Sequence, residues 1–313
     1  MAKIHRDPSP YIHNAGTEER EEEMSAAPAE REQYQENSEN EQEIQQDTPK
    51  KSSRGQWLYT AAIIFFAGVF LLSAAMLIKR YAEDRRAENA FSDLAALAEK
   101  PAAVSDKNTE IQQTDDGSDI GNAERFSALV QKNPDFIGWI SIEGTNLDFP
   151  VMHKSDVKDF YLRHDFDGAY SNYGVPYLDE DCTLSETQRS ENLIIYGHNM
   201  KTGTIFGCLT DYKKADTYSK HPVIQFDTLY DSGTYEVFAA FAIDVVEDQS
   251  FDYYNKIDMD EDQYNDFVAE VKRRSDVDSG ITPVYGEDLI TLSTCEYSTA
   301  NGRYVVCARR KTE

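Results

Sequence analysis

From Trp57 to Ile78 the chain carries no charged residue. The run includes Ala61-Ala62-Ile63-Ile64-Phe65-Phe66 and Val69-Phe70-Leu71-Leu72, and at about 22 residues it matches one helix across the apolar core of a bilayer. Trp57 and Tyr59 suit one membrane interface, Lys79 and Arg80 the other. A cleaved signal peptide fits poorly, because the run is too long, begins far from Met1 and is followed by no small-x-small cleavage site. The expectation is a single uncleaved transmembrane helix over residues 56–79. Lys50, Lys51 and Arg54 precede it and Lys79, Arg80, Arg85 and Arg86 follow, so basic residues alone do not orient it.

The flanks differ in kind. Residues 1–55 are rich in Glu, Gln, Asn, Ser and Pro, as in Glu18-Glu19-Arg20-Glu21-Glu22-Glu23, and cannot bury enough surface to offset the entropy of ordering. They are expected to form a disordered acidic tail. Residues 80–123 read as a stalk or linker, helical from Tyr81 to Lys100, where Ala, Glu and Leu dominate, then polar and loose from Ser105 to Gly121. With 57 acidic against 31 basic residues the net charge is -26, which argues against nucleic-acid binding, since phosphate contacts need clustered Lys and Arg. Cys182, Cys208, Cys295 and Cys307 are widely spaced with no CxxC pair, so neither a zinc site nor a disulfide framework is suggested.

The remainder, residues 124–313, reads as one globular domain. A short helix from Glu124 to Val130 stops near Asn133-Pro134. Strand-like runs follow at Gly138–Ile142, Leu147–Met152, Val175–Leu178, Leu193–Tyr196, Val223–Phe226, Tyr235–Val245, Leu289–Cys295 and Tyr304–Ala308. Many short strands separated by Gly, Pro, Asn and Asp suggest a sandwich or a barrel with long insertions. Two helices are expected among them. One covers Ile205 to Tyr212; the other runs from Asp260 to Arg274, where Tyr264, Phe267, Val268 and Val271 recur at i, i+3, i+4 and i+7 and form one apolar stripe.

Three polar residues stand where apolar strands end or begin. Leu289-Ile290-Thr291-Leu292-Ser293-Thr294-Cys295 closes on a cysteine, Arg303 opens the next strand, and Asn192-Leu193-Ile194-Ile195-Tyr196-Gly197-His198 leads to a histidine. A strand end is rigid enough to aim a side chain and open enough to admit a substrate. A sulfur nucleophile, a proton carrier and a cation for developing negative charge are what thiol acyl transfer requires. A free thiol is only a few per cent thiolate at neutral pH, and His198 and Arg303 are the groups able to raise that fraction at Cys295. His153, His164 and His221 have no such context.

Thr-Leu-Ser-Thr-Cys with an arginine eight residues later, and Tyr-Gly-His about a hundred residues upstream, resembles the sortases, class B in particular. The resemblance covers roughly residues 124–311. It implies a mainly β fold, a closed eight-stranded barrel with N-terminal helices and an inserted helix before the strand that carries the nucleophile. It implies that Cys295 attacks the carbonyl after Thr in a C-terminal sorting signal to give a thioester, that His198 protonates the departing amine and deprotonates the incoming one, and that Arg303 holds the oxyanion or the substrate. Backbone amides near Glu296 would complete an oxyanion hole. Ser293, Glu296 and Tyr196 resemble positions lining the substrate groove. No cofactor or metal is called for. The implied partners are the sorting-signal peptide and a peptidoglycan-precursor amine, with the membrane engaged through one helix, the N-terminus cytoplasmic and the catalytic domain outside a Gram-positive cell. A pilin-joining variant with a lysine acceptor, a hydrolytic cysteine peptidase and a non-enzymatic surface β-domain are the alternatives.

Overall fold

A computed structural model describes residues 53–99 and 121–311. The expected acidic tail, apart from its last three residues, and the loose part of the connector lie outside the described residues. Among the described residues, those up to Asp84 and those from Arg85 onward fall into two compact units.

Helix α1 runs unbroken over Ser53–Glu99, across the expected boundary between the apolar run and the connector. Its apolar side chains face outward: Phe65, Phe66 and Phe70 are 65, 69 and 73% exposed. An apolar surface left open all round a helix is what a lipid-facing segment looks like. The later part of the same helix behaves differently. Leu94 and Ala98 are buried in a cluster with Phe126, Leu129, Trp139 and Tyr161, and the Phe91 ring meets that of Phe149 edge to face at 4.9 Å. Expected as part of a linker, residues 91–98 thus belong to the core of the domain. Two short helices, α2 (Asn122–Arg125) and α3 (Ser127–Lys132), follow.

The described residues form eight strands: β1 (Phe136–Ser141), β2 (Asp148–Met152), β3 (Tyr177–Leu178), β4 (Asn192–Tyr196), β5 (Val223–Thr228), β6 (Ser232–Asp244), β7 (Leu289–Cys295) and β8 (Gly302–Arg310). They close into a barrel in the order β1-β2-β3-β4-β7-β8-β6-β5. Of the two sequence expectations, sandwich and barrel, the barrel is correct. The β2–β3 and β4–β7 pairs are parallel, the rest antiparallel.

Period-two alternation sorts the strands between two cores. Along β8, Tyr304, Val306 and Ala308 enter the barrel interior with Ile140, Val151, Leu193 and Leu292, whereas Val305 and Cys307 face the outside. That outer face is covered by α5 (Glu261–Arg274), whose Tyr264, Phe267, Val268 and Val271 are the stripe read from the sequence. Its N-terminus carries a capping box, Asp260 accepting from the Gln263 amide at 2.9 Å and Gln263 reaching back to the Asp260 amide at 3.1 Å. The other expected helix differs from expectation. A 3-10 turn spans Gly207–Lys213, followed by a short α4 (Ala215–Lys220) that the sequence did not signal.

Candidate active site

Because β4 and β7 are parallel, paired from Asn192 with Leu289 to Tyr196 with Ser293, their C-terminal ends emerge together. Because β8 is antiparallel to β7, its first residues lie beside them. Cys295 at the end of β7 is the register partner of Arg303 at the start of β8. Directly opposed residues share a face with Cβ atoms roughly 5 Å apart. Alternation puts both on the outer face, the one on which Leu289, Val305 and Cys307 meet the α5 core. Gly302 permits this turn: a Cβ there would sit 2.3 Å from the Glu296 carbonyl oxygen.

His198 lies two residues beyond the last pair of the β4–β7 ladder. The Gly197 amide donates to the Ser293 carbonyl at 3.1 Å, and Thr294 Oγ1 donates to the Gly197 carbonyl at 2.7 Å. The structure therefore brings the three strand-end residues to one edge of the barrel. His198 Nε2 lies 2.8 Å from the Leu162 carbonyl. A carbonyl only accepts, so Nε2 carries the hydrogen in the neutral ring. The main-chain oxygen thus sets tautomer and ring plane, as a carboxylate does in a triad. The other histidines among the described residues have structural partners or sites: His164 stacks on Phe160 with centroids 3.9 Å apart, His221 Nδ1 sits 2.8 Å from the Glu143 carbonyl, and burial pushes the His153 imidazole down.

The four cysteines form no disulfide. Burial pushes the Cys307 thiol up to about 12 and the Cys208 thiol up to about 11, so both stay protonated and inert. Cys182 is buried, and Cys295 is partly open to solvent.

The three expected groove residues occupy different surroundings. Tyr196 lies on the outer face with its ring 5.5 Å from that of Tyr177, and its hydroxyl donates to Asp179 at 2.9 Å. Ser293 is buried, its Oγ 2.7 Å from the Tyr253 hydroxyl. Glu296 pairs with Lys213 at 2.7 Å, on the side of the strand away from Cys295. Its amide donates to the Gly302 carbonyl at 2.9 Å. Of the backbone amides near Glu296 expected to complete an oxyanion hole, the one of Glu296 itself is thus used by the β7–β8 turn, and that of Ser298 donates to the Glu296 carboxylate at 3.0 Å. The Arg303 guanidinium donates through Nη1 to the Gly302 carbonyl at 3.0 Å, and its remaining N–H groups are donors of the kind an oxyanion needs.

Sequence reasoning passed over four contributors. Tyr253, from the segment between β6 and α5, is buried against Ser293; burial pushes its phenol up to about 12 against the opposing pull of the Arg303 guanidinium. Leu162 acts through a main-chain oxygen and leaves no trace in residue type. Thr294 and Asn199 adjoin Cys295 and His198; a short polar side chain at a strand end was the available signal. Asn199 Nδ2 donates to the Cys295 carbonyl at 2.9 Å.

Known proteins resemble this chain in sequence and in fold. The family profile for the sortase domain matches residues 140–311. Sortase B of Staphylococcus aureus is 35% identical over 188 residues, covering 59% of this chain and 74% of the relative. Sortase B of Listeria monocytogenes is 29% identical over 250 residues, covering 79% of this chain and 94% of the relative. The solved Staphylococcus aureus sortase B–substrate complex superposes with a TM-score of 0.62 at 27% identity, covering 74% of this chain and 99% of the other. Sortase B complexed with triglycine gives 0.54 at 32% identity, covering 60% and 86%.

Proposed function

Since the chain belongs to the sortase family, as a cysteine transpeptidase of the sortase B kind, we propose that it cleaves a C-terminal sorting signal after Thr and transfers the acyl group to a cell-wall amine. In this reading the Cys295 thiolate adds to the carbonyl carbon, and Arg303 stabilises the oxyanion. His198 gives its proton to the departing amine as the C–N bond breaks, leaving a thioester. An incoming amine then attacks the thioester carbon, His198 takes its proton, and the thiolate departs as the new amide forms. Tyr196 and Ser293, with Tyr253 behind, floor the groove that holds the peptide, while Glu296 holds the loop between β7 and β8 through Lys213. The apolar part of α1 anchors the protein in the membrane, N-terminus inside, with the barrel outside.

The observation that supports this reading most is the register pairing of Cys295 with Arg303 on one face, with the β4 end that carries His198 bonded to the same edge. The structure of sortase B with triglycine supports an amine, rather than water, as acceptor. The test is to incubate the full chain in detergent with peptides from a randomised library carrying Thr at one fixed position, with and without triglycine or diaminopimelate. An amine-dependent product that Cys295→Ala abolishes is expected. Cleavage indifferent to amine identifies a peptidase instead, and a lysine-only acceptor identifies a pilin-joining enzyme. No reaction and no alkylation of Cys295 overturns the catalytic reading.

A further inference from the structure

The β4–β7 ladder ends at Tyr196 and Ser293, two residues short, on each strand, of the two groups that must exchange a proton. Just past that end the Gly197 amide still donates to the Ser293 carbonyl at 3.1 Å and Thr294 Oγ1 to the Gly197 carbonyl at 2.7 Å, after which the chain beyond His198 turns away into the loop that leads to Gly207. Beyond those bonds a further side chain links the two ends. Asn199 Nδ2 donates to the main-chain carbonyl of Cys295 at 2.9 Å, and the Tyr297 hydroxyl donates back to the Asn199 carbonyl at 3.0 Å. Each bond links a residue at or just past the imidazole to one at or just past the sulfur.

The loop between them is itself closed. Asn199 bridges Ile205, the Phe206 amide donates to the His198 carbonyl at 3.0 Å, and Ile205 is fully buried with φ 57°. A β-branched residue in the left-handed region is unfavourable and persists only where its surroundings impose it. Gly197 is a glycine for the same reason of closeness: a Cβ there would lie 2.7 Å from the Phe206 ring. The result is a short closed hoop that presents His198, with the Asn199 amide as its bond to the main chain of Cys295 itself.

We propose that Asn199 is a positioning residue of the reaction: its amide sets the separation between the His198 imidazole and the Cys295 sulfur without touching substrate. The role needs a donor, because the partner is a carbonyl. Aspartate, of nearly the same shape, would set oxygen against oxygen. A misplacement of about 1 Å between reacting groups costs on the order of a hundred-fold in rate.

The proposal rests on Cys295 and His198 acting as proposed above, and its test includes a measurement that needs no peptide. In the full chain, the rate at which iodoacetamide alkylates Cys295 is compared in wild type, Asn199→Ala, Asn199→Asp, His198→Ala and the Asn199→Ala/His198→Ala double variant, with thermal midpoints recorded for each. The expected result is that both Asn199 variants fall about ten-fold or more, toward the His198→Ala rate. In the His198→Ala background the second substitution changes nothing, because Asn199 acts through the imidazole. With the selected peptide and triglycine, kcat falls on the order of a hundred-fold in both Asn199 variants while KM for the peptide stays within about two-fold. Alkylation in Asn199→Ala equal to wild type overturns the proposal, as does an undiminished further loss in the His198→Ala background. Should Asn199→Ala lower the thermal midpoint sharply, Tyr297→Phe serves in its place. It removes the reciprocal bond from an exposed ring, and a loss of alkylation rate smaller than that of Asn199→Asp but absent in the His198→Ala background is expected; an equal loss in both backgrounds overturns the proposal. Wild type without turnover but with the expected alkylation pattern refutes the transpeptidase reading and leaves the positioning role standing.

Discussion

Arg303 and Lys213 are two cations near the end of β7 with separate duties. Lys213 is committed to Glu296 at 2.7 Å and lies 5.4 Å from the centre of the Tyr304 ring, while Arg303 faces the side of Cys295. The proposed function assigns the oxyanion to Arg303, whose planar fork Lys213 lacks. Arg303→Lys keeps the charge and loses the fork, so kcat is expected to fall on the order of a hundred-fold with little change in thermal midpoint, measured with the selected peptide and triglycine. Gly302→Ala should act on the same residue indirectly. Its Cβ would press on the Glu296 carbonyl from 2.3 Å, opening the turn that pairs Arg303 with Cys295. Loss of kcat out of proportion to loss of stability, read by comparing turnover with the thermal midpoint, is the expected outcome; unchanged turnover would mean that the turn is not what places the guanidinium.

Helix α5 shows how an element packs by apolar fit and is pinned by charge. Phe267 is buried between the outer face of the barrel and Phe251, with the two rings stacked at 6.0 Å. Phe267→Ala is expected to cost about 3–5 kcal/mol of unfolding free energy in a denaturant titration. At the other end, Arg274 bonds Glu270 at 2.7 Å and reaches Asp248 in the loop after β6. Hydrogen bonds from Arg273 and Arg274 hold the Glu270 carboxyl down at about 2, and Arg274 holds Asp248 at about 2. Carboxylates whose folded values lie below their unfolded ones stabilise the fold fully above about pH 4, and that contribution disappears as pH falls toward 2. Glu270→Gln and Asp248→Asn should therefore lower the thermal midpoint at pH 7 and converge with wild type near pH 2. Both groups are partly exposed, so screening by water and salt keeps the effect small. A constant difference across that range would show that the carboxylates contribute by packing alone.

At the scale of the whole chain, the end of α1 is part of the catalytic unit. Leu94 and Ala98 are 3% exposed and share a core with Phe136 and Trp139. A protein lacking residues 1–84 should be soluble and retain the thermal midpoint of the full barrel. One lacking residues 1–120 should melt lower, because it uncovers that core; equal midpoints in a thermal scan would remove residues 85–99 from the domain. The full chain should remain with membranes through a high-salt wash and be released by detergent, as apolar anchoring rather than charge requires.

Local pattern determined a large part of this protein. The apolar run, the eight strands, the stripe of α5 and the strand-end placement of His198, Cys295 and Arg303 follow from the identity and period of neighbouring residues, which set hydrogen-bonding habit and facing direction. The 3-10 turn at Gly207–Lys213 did not follow, because a few residues of helical pattern do not distinguish one helix type from another. What only the tertiary structure decided is which ends meet. The β4–β7 pairing joins strands almost a hundred residues apart, the Leu162 carbonyl that sets the imidazole tautomer is a main-chain atom common to every residue, and the Glu296 amide is committed by a partner across the β7–β8 turn. Such contacts arise from chain closure rather than from side-chain type, so no reading of residues in a row contains them.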